Sequence, residues 1–279
     1  MLDLSVIIPV RNAEDILEAC LESVVSAQPR EIIIVDGMST DGTLDIASRY
    51  PTLVISDEGK GLPAARMMGA RAAQSKWIAL VDADVVFPDG TLEALYAEFI
   101  NEGYAGLQAG QQSTSGPGYW GQALTWHHRN SRSKNWFGLV ATIMERDVFL
   151  AHGLDEMFLS GEDIEFRWRL TDAGLKIGVS PTTVVEHRYG DTWEFARGQF
   201  TADGKGLARM VAQRGLGAAH LGLLPLAAGV RGIGLALAKR QPKWIPYFLA
   251  FVGYNYGAFF GVLAKDLVAR RRTTTARSA

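Results

Sequence analysis

The stretch Trp77-Ile-Ala-Leu-Val-Asp82-Ala-Asp84-Val-Val-Phe87 joins an apolar run to a pair of carboxylates one residue apart. Such a run is typical of a buried strand in a parallel sheet. Because residues i and i+2 of a strand point the same way, the spacing predicts that Asp82 and Asp84 face one direction at the carboxyl end of the strand. Open α/β sheets bind ligands at that edge, and a divalent cation would relieve the repulsion between the carboxylates. Alternatively, one Asp caps the next helix and the other borders a turn.

Strand-like and helix-like patterns alternate through the first hundred residues. Apolar runs predict further strands at residues 4–10, 31–36 and 53–57. Between them lie helical patterns, the first of which would run over 13–27 with Asn12 as its N-terminal cap. This alternation predicts βαβ units in an α/β fold, a doubly wound and mainly parallel sheet with flanking helices.

The composition is that of a globular protein, with 48% hydrophobic and 21% charged residues among 279. The formal net charge of -2 gives no reason to expect a nucleic-acid partner. Cys20 is the single cysteine, so no disulfide or cysteine-based metal site can form within the chain. The N-terminal apolar run is short and has no basic residue before it, so no signal peptide is expected.

The chain changes character after residue 215, so the predicted domains are 1–215 and a C-terminal apolar and basic helical region, 216–279. Residues 244–264 contain no charged side chain, a length that could span a hydrocarbon layer of ~30 Å. Gly253, Gly257 and Gly261 stand four apart, a spacing that lets helices approach closely.

Basic residues flank the apolar C-terminal segments on both sides. They are Lys239, Arg240, Lys243, Lys265, Arg270, Arg271, Arg272 and Arg277. A membrane span would put one cluster on the wrong side under the positive-inside tendency. We therefore expect monotopic or short-hairpin attachment to the cytoplasmic face of the cell membrane, with a buried helical hairpin as the alternative.

Charged residues at loop starts suggest the two ends of a nucleotide site. Asp36 ends a predicted strand and could accept a hydrogen bond from a nucleobase N–H group. Lys60 and Arg66 flank the next loop and could face a diphosphate, although either side chain could equally be solvated.

Later in the chain, Asp163 begins a helical pattern and could accept a proton from a hydroxyl group. Ser160-x-x-Asp163 also resembles a capping box, which is a purely structural role. Glu162 could orient Asp163 or be solvated. His187 ends a short predicted strand and could join the aspartates in a mixed nitrogen and oxygen site for Mn2+ or Mg2+.

Several motifs occur in a fixed order between residues 3 and 190. They are Val6-Ile-Ile-Pro-Val-Arg-Asn12, Ile33-Ile-Val-Asp-Gly-Met-Ser-Thr-Asp-Gly-Thr43, Asp82-Ala-Asp84, Gly161-Glu-Asp163 and His187. This order resembles that of family 2 glycosyltransferases, which have a GT-A fold. The resemblance implies a nucleotide-sugar donor, UDP- or GDP-linked, a divalent cation and inversion at the anomeric carbon.

The resemblance also implies roles for individual residues. Asp163 would be the catalytic base, and Asp84 and His187 would bind the metal ion. Including Lys60 and Arg66, the candidate donor-binding residues are Pro9, Val10, Asn12, Glu14, Asp36, Lys60, Arg66, Asp82, Ala83 and Asp84.

The sequence departs from the processive members of that family. Their Gln-x-x-Arg-Trp signature is absent, since Ile-Glu-Phe-Arg-Trp-Arg169 follows Asp163. Transfer of a single sugar is therefore expected instead of synthesis of a long polymer. The apolar C-terminus resembles that of bacterial family members that act on lipid-linked saccharides, which implies a lipid-linked or polysaccharide-precursor acceptor. Glu162, Trp126, His127 and Arg129 are candidates for orienting the base or binding the acceptor, although an amphipathic helix covering the sheet explains the last three equally well.

Three alternative functions remain open from the sequence. A retaining enzyme of the same fold also carries Asp-x-Asp and a late histidine. A sugar-phosphate nucleotidyltransferase would need a Gly-rich basic loop after the first strand, where this chain has Arg11-Asn-Ala-Glu14. A non-catalytic membrane scaffold that has kept the fold is the third.

Overall fold

The computed structural model describes residues 1–131, 136–155, 158 and 160–277, and for residues 216 and 266–277 it describes the main chain alone. The chain forms two compact units. Unit 1 comprises residues 1–114, 128–157 and 162–189, and unit 2 comprises 115–127, 158–161 and 190–279. The boundary expected at residue 215 stays a prediction.

Unit 1 is built on a mixed eight-stranded sheet. In chain order its strands are β1 (Leu2–Val10), β2 (Pro29–Asp36), β3 (Thr52–Ser56), β4 (Trp77–Val81), β5 (Val85–Val86), β6 (Gly106–Ser115), β7 (Ala141–Glu145) and β8 (Ile177–Tyr189). The spatial order is β3-β2-β1-β4-β7-β6-β8-β5. β3, β2, β1 and β4 are parallel, as the alternating pattern predicted, whereas β7 runs antiparallel to β4 and β6, and β5 antiparallel to β8.

Helices connect the strands and cover the sheet. They are α1 (Leu17–Ser26), α2 (Thr43–Ala47), α3 (Leu62–Ala72), α4 (Thr91–Glu102), α6 (Arg146–His152) and α7 (Glu162–Asp172), whereas α5 (Tyr119–Asn130) belongs mostly to unit 2. Two buried clusters lie on the sheet, and β1 supplies Ile8 to one and Ile7 to the other, because successive residues of a strand point to opposite faces. The α/β fold with flanking helices is confirmed.

One glycine brings helix α3 unusually close to the sheet. A Cβ atom on Gly69 would lie 2.3 Å from Cγ2 of Ile7 and 3.2 Å from Cγ2 of Val35. The absence of a side chain therefore lets α3, the helix that carries Arg66, pack directly on β1 and β2.

Three local predictions were wrong. Asn12 does not cap α1, which begins at Leu17; Asn12 has a φ of 50°, and its Oδ1 accepts a hydrogen bond from the Thr40 amide at 2.8 Å. The strand predicted to continue through Asp84 ends at Val81, because the Val85 amide bonds back to the Asp82 carbonyl and closes a turn. The composition of residues 111–118 predicts a loop, but residues 111–115 belong to β6.

Unit 2 is dominated by three long helices and two short 3-10 segments. These elements are α8 (Trp193–Arg214), a 3-10 segment (Gly215–Leu223), α9 (Leu224–Ala238), a 3-10 segment (Pro242–Trp244) and α10 (Ile245–Arg277). Glycines allow close contact, since a Cβ atom on Gly204 of α8 would lie 2.2 Å from the Asn255 carbonyl, and one on Gly232 of α9 would lie 2.1 Å from the Phe248 ring.

The spacing of three glycines on α10 predicted that another helix packs closely against them, but the structure shows no such contact among the described residues. No described atom lies within 4 Å of a Cβ placed on Gly253, Gly257 or Gly261. They therefore face open space, and do not mediate helix packing within the described chain. An interior helical glycine costs about 1 kcal/mol relative to alanine, so local helix stability does not explain them.

By length and composition, two helical segments could cross a membrane: 217–238 and 242–265. Only 28% and 22% of their apolar windows are buried. Large apolar side chains accordingly face outward, including Leu223, Val230, Leu237, Leu249 and Phe260.

Candidate active site

Two aspartates and a histidine meet at the edge of the sheet in unit 1. Asp82, Asp84 and His187 each offer a ligand atom, and these atoms lie within 4.8 Å of one another. The pairing of β5 with β8 sets Val85 opposite His187, and the Arg188 amide bonds to the Asp84 carbonyl at 2.9 Å. The convergence predicted for the two aspartates occurs, although a turn and an antiparallel pair produce it.

The polar atoms of this cluster suit a cation. His187 Nε2 lies 3.2 Å from Asp84 Oδ2, while Asp84 Oδ1 and His187 Nδ1 are buried without a hydrogen-bond partner among the described residues. A buried carboxylate oxygen without a partner is costly unless water or an ion satisfies it. The residues present therefore fit a divalent metal ion.

The charges around His187 favour its protonated form. Burial alone would lower the pKa of His187, but the charge and hydrogen bond of Asp84 outweigh it and raise that pKa above its usual value. Burial raises the pKa of Asp82, an effect that Arg66 opposes. The raised pKa of His187 and that of Asp82 thus both reflect the closeness of the groups in this cluster.

Arg66 joins this cluster to the start of α7. The side chain is 3% exposed, and its guanidinium contacts Asp82 Oδ1 at 2.6 Å and Glu162 Oε1 at 2.8 Å. Burial opposes the charged form of Arg66, but the two carboxylates outweigh it and raise its pKa further. Arg66 thus positions two acidic side chains, and Glu162 is a buried partner of Arg66.

Asp163 follows Glu162 at the N-terminal end of α7. Burial raises the pKa of Asp163 to about 6, and the charge of Glu162 adds to this effect. Its Oδ1 accepts a hydrogen bond from the Ile164 amide at 2.8 Å. A carboxylate with this pKa is ionised at neutral pH and accepts a proton more readily than an ordinary aspartate.

Gly138 is a neighbour of Asp163 that the sequence did not indicate. A Cβ atom on Gly138 would lie 2.9 Å from Asp163 Oδ2. The Gly138 amide donates to Gln108 Oε1 at 2.8 Å, and its carbonyl accepts from Thr142 Oγ1 at 2.8 Å. Because Gln108 and Thr142 are paired across β6 and β7, the sheet itself fixes the main chain beside Asp163.

The residues proposed to hold the nucleoside lie after β1 and β2. Pro9 and Val10 end β1, next to Val35 and Asp36 in register. Asp36 is buried, and its carboxylate accepts a hydrogen bond from the Ser39 amide. Hydrogen bonds also join the loop after β1 to the loop after β2. The Asn12 amide donates to Ser39 Oγ, and Glu14 Oε2 accepts from the Gly42 amide at 2.7 Å.

The loop that carries Lys60 is organised by a residue that sequence analysis overlooked. Asp57 is 2% exposed, and its carboxylate accepts hydrogen bonds from the Gly59 amide at 2.7 Å and the Gly61 amide at 3.0 Å. Lys60 itself is half exposed and pairs with Glu58 at 2.9 Å. The sequence Asp57-x-Gly-x-Gly61 is a turn signal that could have identified this residue.

The acceptor candidates on α5 belong to different units. In unit 2, Trp126 packs against Trp244 and Phe248, and His127 Nδ1 lies 2.9 Å from the Tyr247 hydroxyl. Burial lowers the pKa of His127 to about 4. In unit 1, Arg129 Nε donates to the Ser113 carbonyl at 2.9 Å. Trp126 and His127 thus pack on α10, and a role in acceptor binding stays a prediction for all three.

The family model for glycosyl transferase family 2 matches residues 5–150, more than half of the chain. The chain belongs to glycosyl transferase family 2. The matched region contains β1 to β7, Arg66 and the aspartates of the acidic cluster, whereas Asp163 and His187 lie beyond it.

Among curated relatives, this family 2 chain is 28% identical over 202 residues to the succinoglycan biosynthesis protein ExoA of Rhizobium meliloti. The alignment covers 64% of this chain and 61% of the relative. The chain therefore spans about three fifths of that relative's length.

Solved structures share the fold. The mannosyltransferase PcManGT of Pyrobaculum calidifontis, in complex with GDP-Man and Mn2+, matches with a TM-score of 0.68 at 17% identity, over 92% of this chain and 87% of that chain. S. aureus TarS 1-349 in complex with UDP matches with a TM-score of 0.54 at 21% identity, over 92% and 89% of the chains. The GT-A fold is thereby confirmed.

The Arg66→Met substitution should lower the free energy of unfolding by about 3–5 kcal/mol, because it removes the cation that pairs with the buried carboxylate of Glu162 and the partly exposed carboxylate of Asp82. Urea unfolding measures the change. The matched control is Arg49→Met, which breaks the exposed pair with Glu18 and should cost no more than about 1 kcal/mol. Equal losses for the two variants would contradict a bridging role for Arg66.

Proposed function

We propose that this chain is an inverting, metal-dependent glycosyltransferase that moves a single sugar from a nucleotide-diphosphate sugar to a hydroxyl group. The acceptor would be a lipid-linked or polysaccharide-precursor glycan at the cytoplasmic face of the membrane. The observation that carries this proposal is the Asp163 carboxylate, held in unit 1 together with the acidic cluster through Arg66 and Glu162. Family membership favours glycosyl transfer over nucleotidyl transfer or a scaffold role.

The donor would bind along the ends of β1, β2 and β4. Asp36 would hold the base, and Pro9, Val10, Asn12 and Glu14 would line the nucleoside pocket. Structural neighbours bind GDP-Man and UDP, which supports a GDP- or UDP-linked donor. Asp84 and His187 would hold Mn2+ or Mg2+, with Asp82 beside them. Such an ion, when bound, offsets the charge that grows on the departing nucleoside diphosphate.

Asp163 would act as the general base. Its carboxylate takes the proton of the acceptor hydroxyl as that oxygen attacks the anomeric carbon. A new carbon–oxygen bond forms on one face of the sugar, and the bond to the diphosphate breaks on the opposite face, so the configuration inverts. Glu162 and Arg66 hold the start of α7, and the close main chain of Gly138 limits where the carboxylate can lie.

The Asp163→Asn substitution should reduce kcat by about 10²–10⁴-fold, because an amide cannot accept the proton. Donor nucleotide binding should persist. In the wild-type protein, kcat/KM should fall below pH 6, since the pKa of Asp163 is raised to about 6 and its protonated form is inactive. Steady-state assays over a pH series measure both effects.

The control for this prediction is Asp172→Asn, at the C-terminal end of the same helix α7. It should leave kcat and the pH profile unchanged. A loss of nucleotide binding in Asp163→Asn as large as its loss of turnover would assign Asp163 a structural role instead.

The Asp84→Ala substitution should abolish metal-dependent binding of the donor nucleotide. We would measure melting temperature with UDP, GDP, dTDP and CDP, each with Mn2+ or with EDTA. A ligand at a hundred times its Kd stabilises a protein by ~2.7 kcal/mol. One nucleotide should raise the melting temperature of the wild type with Mn2+ and have no effect on the variant. No shift with any nucleotide would contradict the donor site.

The C-terminal helices would attach the enzyme to the membrane surface. Val230 on α9 and Phe260 on α10 are apolar side chains that are 63% and 60% exposed, and Lys239, Arg240 and Lys243 lie between the two helices. An apolar face beside basic side chains suits an interface rich in anionic lipid. The side chains of the more distal basic cluster, at 270–277, lie outside the described residues.

The Val230→Glu substitution should weaken binding to vesicles that contain phosphatidylserine, because it places a charge on the apolar face. Vesicle flotation measures the bound fraction, with Gln199→Glu on the exposed surface of α8 as the control. Alkaline carbonate should release the wild-type protein from cell membranes. Retention after carbonate treatment, together with protection of a C-terminal tag from protease, would favour a membrane span.

A further inference from the structure

Within unit 2, helices α8 and α10 form the walls of a groove with a volume of about 570 Å3. The α8 wall includes Thr201 and Lys205, four residues apart. The α10 wall follows the same spacing over a longer distance. Its residues at this spacing are Leu249, Gly253, Gly257, Gly261 and Lys265. Residues four apart lie on one face of a helix, so the groove runs about 24 Å along α10.

The floor of the groove is open because of its glycines. Gly253, Gly257 and Gly261 line it, and no described atom lies within 4 Å of a Cβ atom placed at any of them. By contrast, Gly204 and Gly232 each accommodate a neighbouring atom of unit 2. The contrast indicates space for an apolar ligand instead of contact within the chain.

A second cavity, of about 480 Å3, continues from the groove and is basic. The two cavities share Thr201, Lys205 and Tyr254. Arg197 and Arg209 also line the second cavity, four residues before and after that pair on α8, with Glu194 as its acidic member. Lys205 and Arg197 are exposed, and neither forms an ion pair with a described residue. An anionic group would therefore find cationic donors here.

Ser160 lines the basic cavity as well. A Cβ atom on Gly206 of α8 would lie 2.4 Å from the Ser160 carbonyl, so this short segment packs directly on the helix. Along the chain, only Gly161 and Glu162 separate Ser160 from Asp163. Ser160, which lines the basic cavity, thus stands three residues before the proposed catalytic base in the sequence.

We propose that this groove binds a carrier lipid, with its single hydrocarbon chain along the glycines of α10 and its phosphate between Arg197, Lys205 and Arg209. This inference rests on the proposed function, in which the acceptor is lipid-linked. The arrangement of an apolar groove that ends in a cationic cavity matches the charge distribution of such a lipid.

The size of the groove favours one chain. A methylene group occupies about the volume of a water molecule in the liquid, roughly 30 Å3, so 570 Å3 holds roughly 20 such groups. A bilayer phospholipid would bring two chains of similar length. A second copy of this protein would present a helix instead, and would leave the basic cavity without an anion.

The test is photocrosslinking of the full chain in detergent with hexadecyl phosphate that carries a diazirine on its chain. Peptide mass spectrometry should locate the crosslinks on α8 and α10. Hexadecanol with the same diazirine and a two-chain phosphatidic acid probe should label this site less, and inorganic phosphate alone should not protect it.

Matched variants separate the groove from the rest of the apolar surface. Gly257→Leu fills the groove with a better helix former and should reduce labelling by more than about tenfold. Gly234→Leu is the control. A Cβ atom placed on Gly234 of α9 also has no described atom within 4 Å, but this residue lies outside the groove. Lys205→Gln should remove the preference for phosphate over alcohol, and Lys239→Gln should not.

Two results would overturn the proposal. Equal labelling of wild type and Gly257→Leu would mean that the lipid binds elsewhere. Conversion of a dimer to a monomer by Gly257→Leu, without phosphate-dependent labelling, would identify the glycine face as a contact between copies. Because labelling needs neither donor nor metal ion, it is independent of catalysis. If the hexadecyl phosphate probe labels the groove but the protein transfers no sugar to a lipid-linked acceptor, the proposed acceptor class is wrong and the lipid-binding groove is still supported.

Discussion

The candidate site depends on the two ion pairs of the Arg66 guanidinium. This guanidinium is buried, and it binds one carboxylate after β4 and another at the start of α7, residues separated by 80 positions in the chain. Without it, the buried carboxylate of Glu162 would lose its cationic partner, which is costly. Gly69, one turn along the same helix, allows the approach of α3 to the sheet that brings the guanidinium within reach. The close packing of α3 on the sheet at Gly69 and the ion pairs of Arg66 therefore support each other.

Local sequence patterns identified the first half of the sheet well, for a physical reason. Parallel strands covered by helices on both faces need nearly continuous apolar runs, and β1, β2 and β4 have them. The acidic positions were also identifiable, because Asp36 and Asp82 follow such runs directly. These features depend on residues close together in the chain.

Features that depend on distant pairing could not be predicted in this way. The meeting of Asp84 and His187 requires β5, a strand of two residues, to pair with β8 a hundred residues later. A strand this short has no periodicity to detect, and β6 begins Gly-Leu-Gln-Ala-Gly-Gln-Gln, which composition assigns partly to a loop. Asn12 was misassigned because its side chain bonds to the Thr40 amide, a partner that lies in another loop.

Gly138 has a consequence for how enzymes of this architecture can diversify. The carboxylate of Asp163 is bordered by main chain at Gly138, which hydrogen bonds with the side chains of Gln108 and Thr142 hold in place, so its surroundings are set by residues paired in the sheet. Residues that contact the sugar or the acceptor could then be exchanged during evolution without moving the carboxylate that we propose as the proton acceptor. Such a division would let new specificities arise one substitution at a time, while the chemical step is conserved.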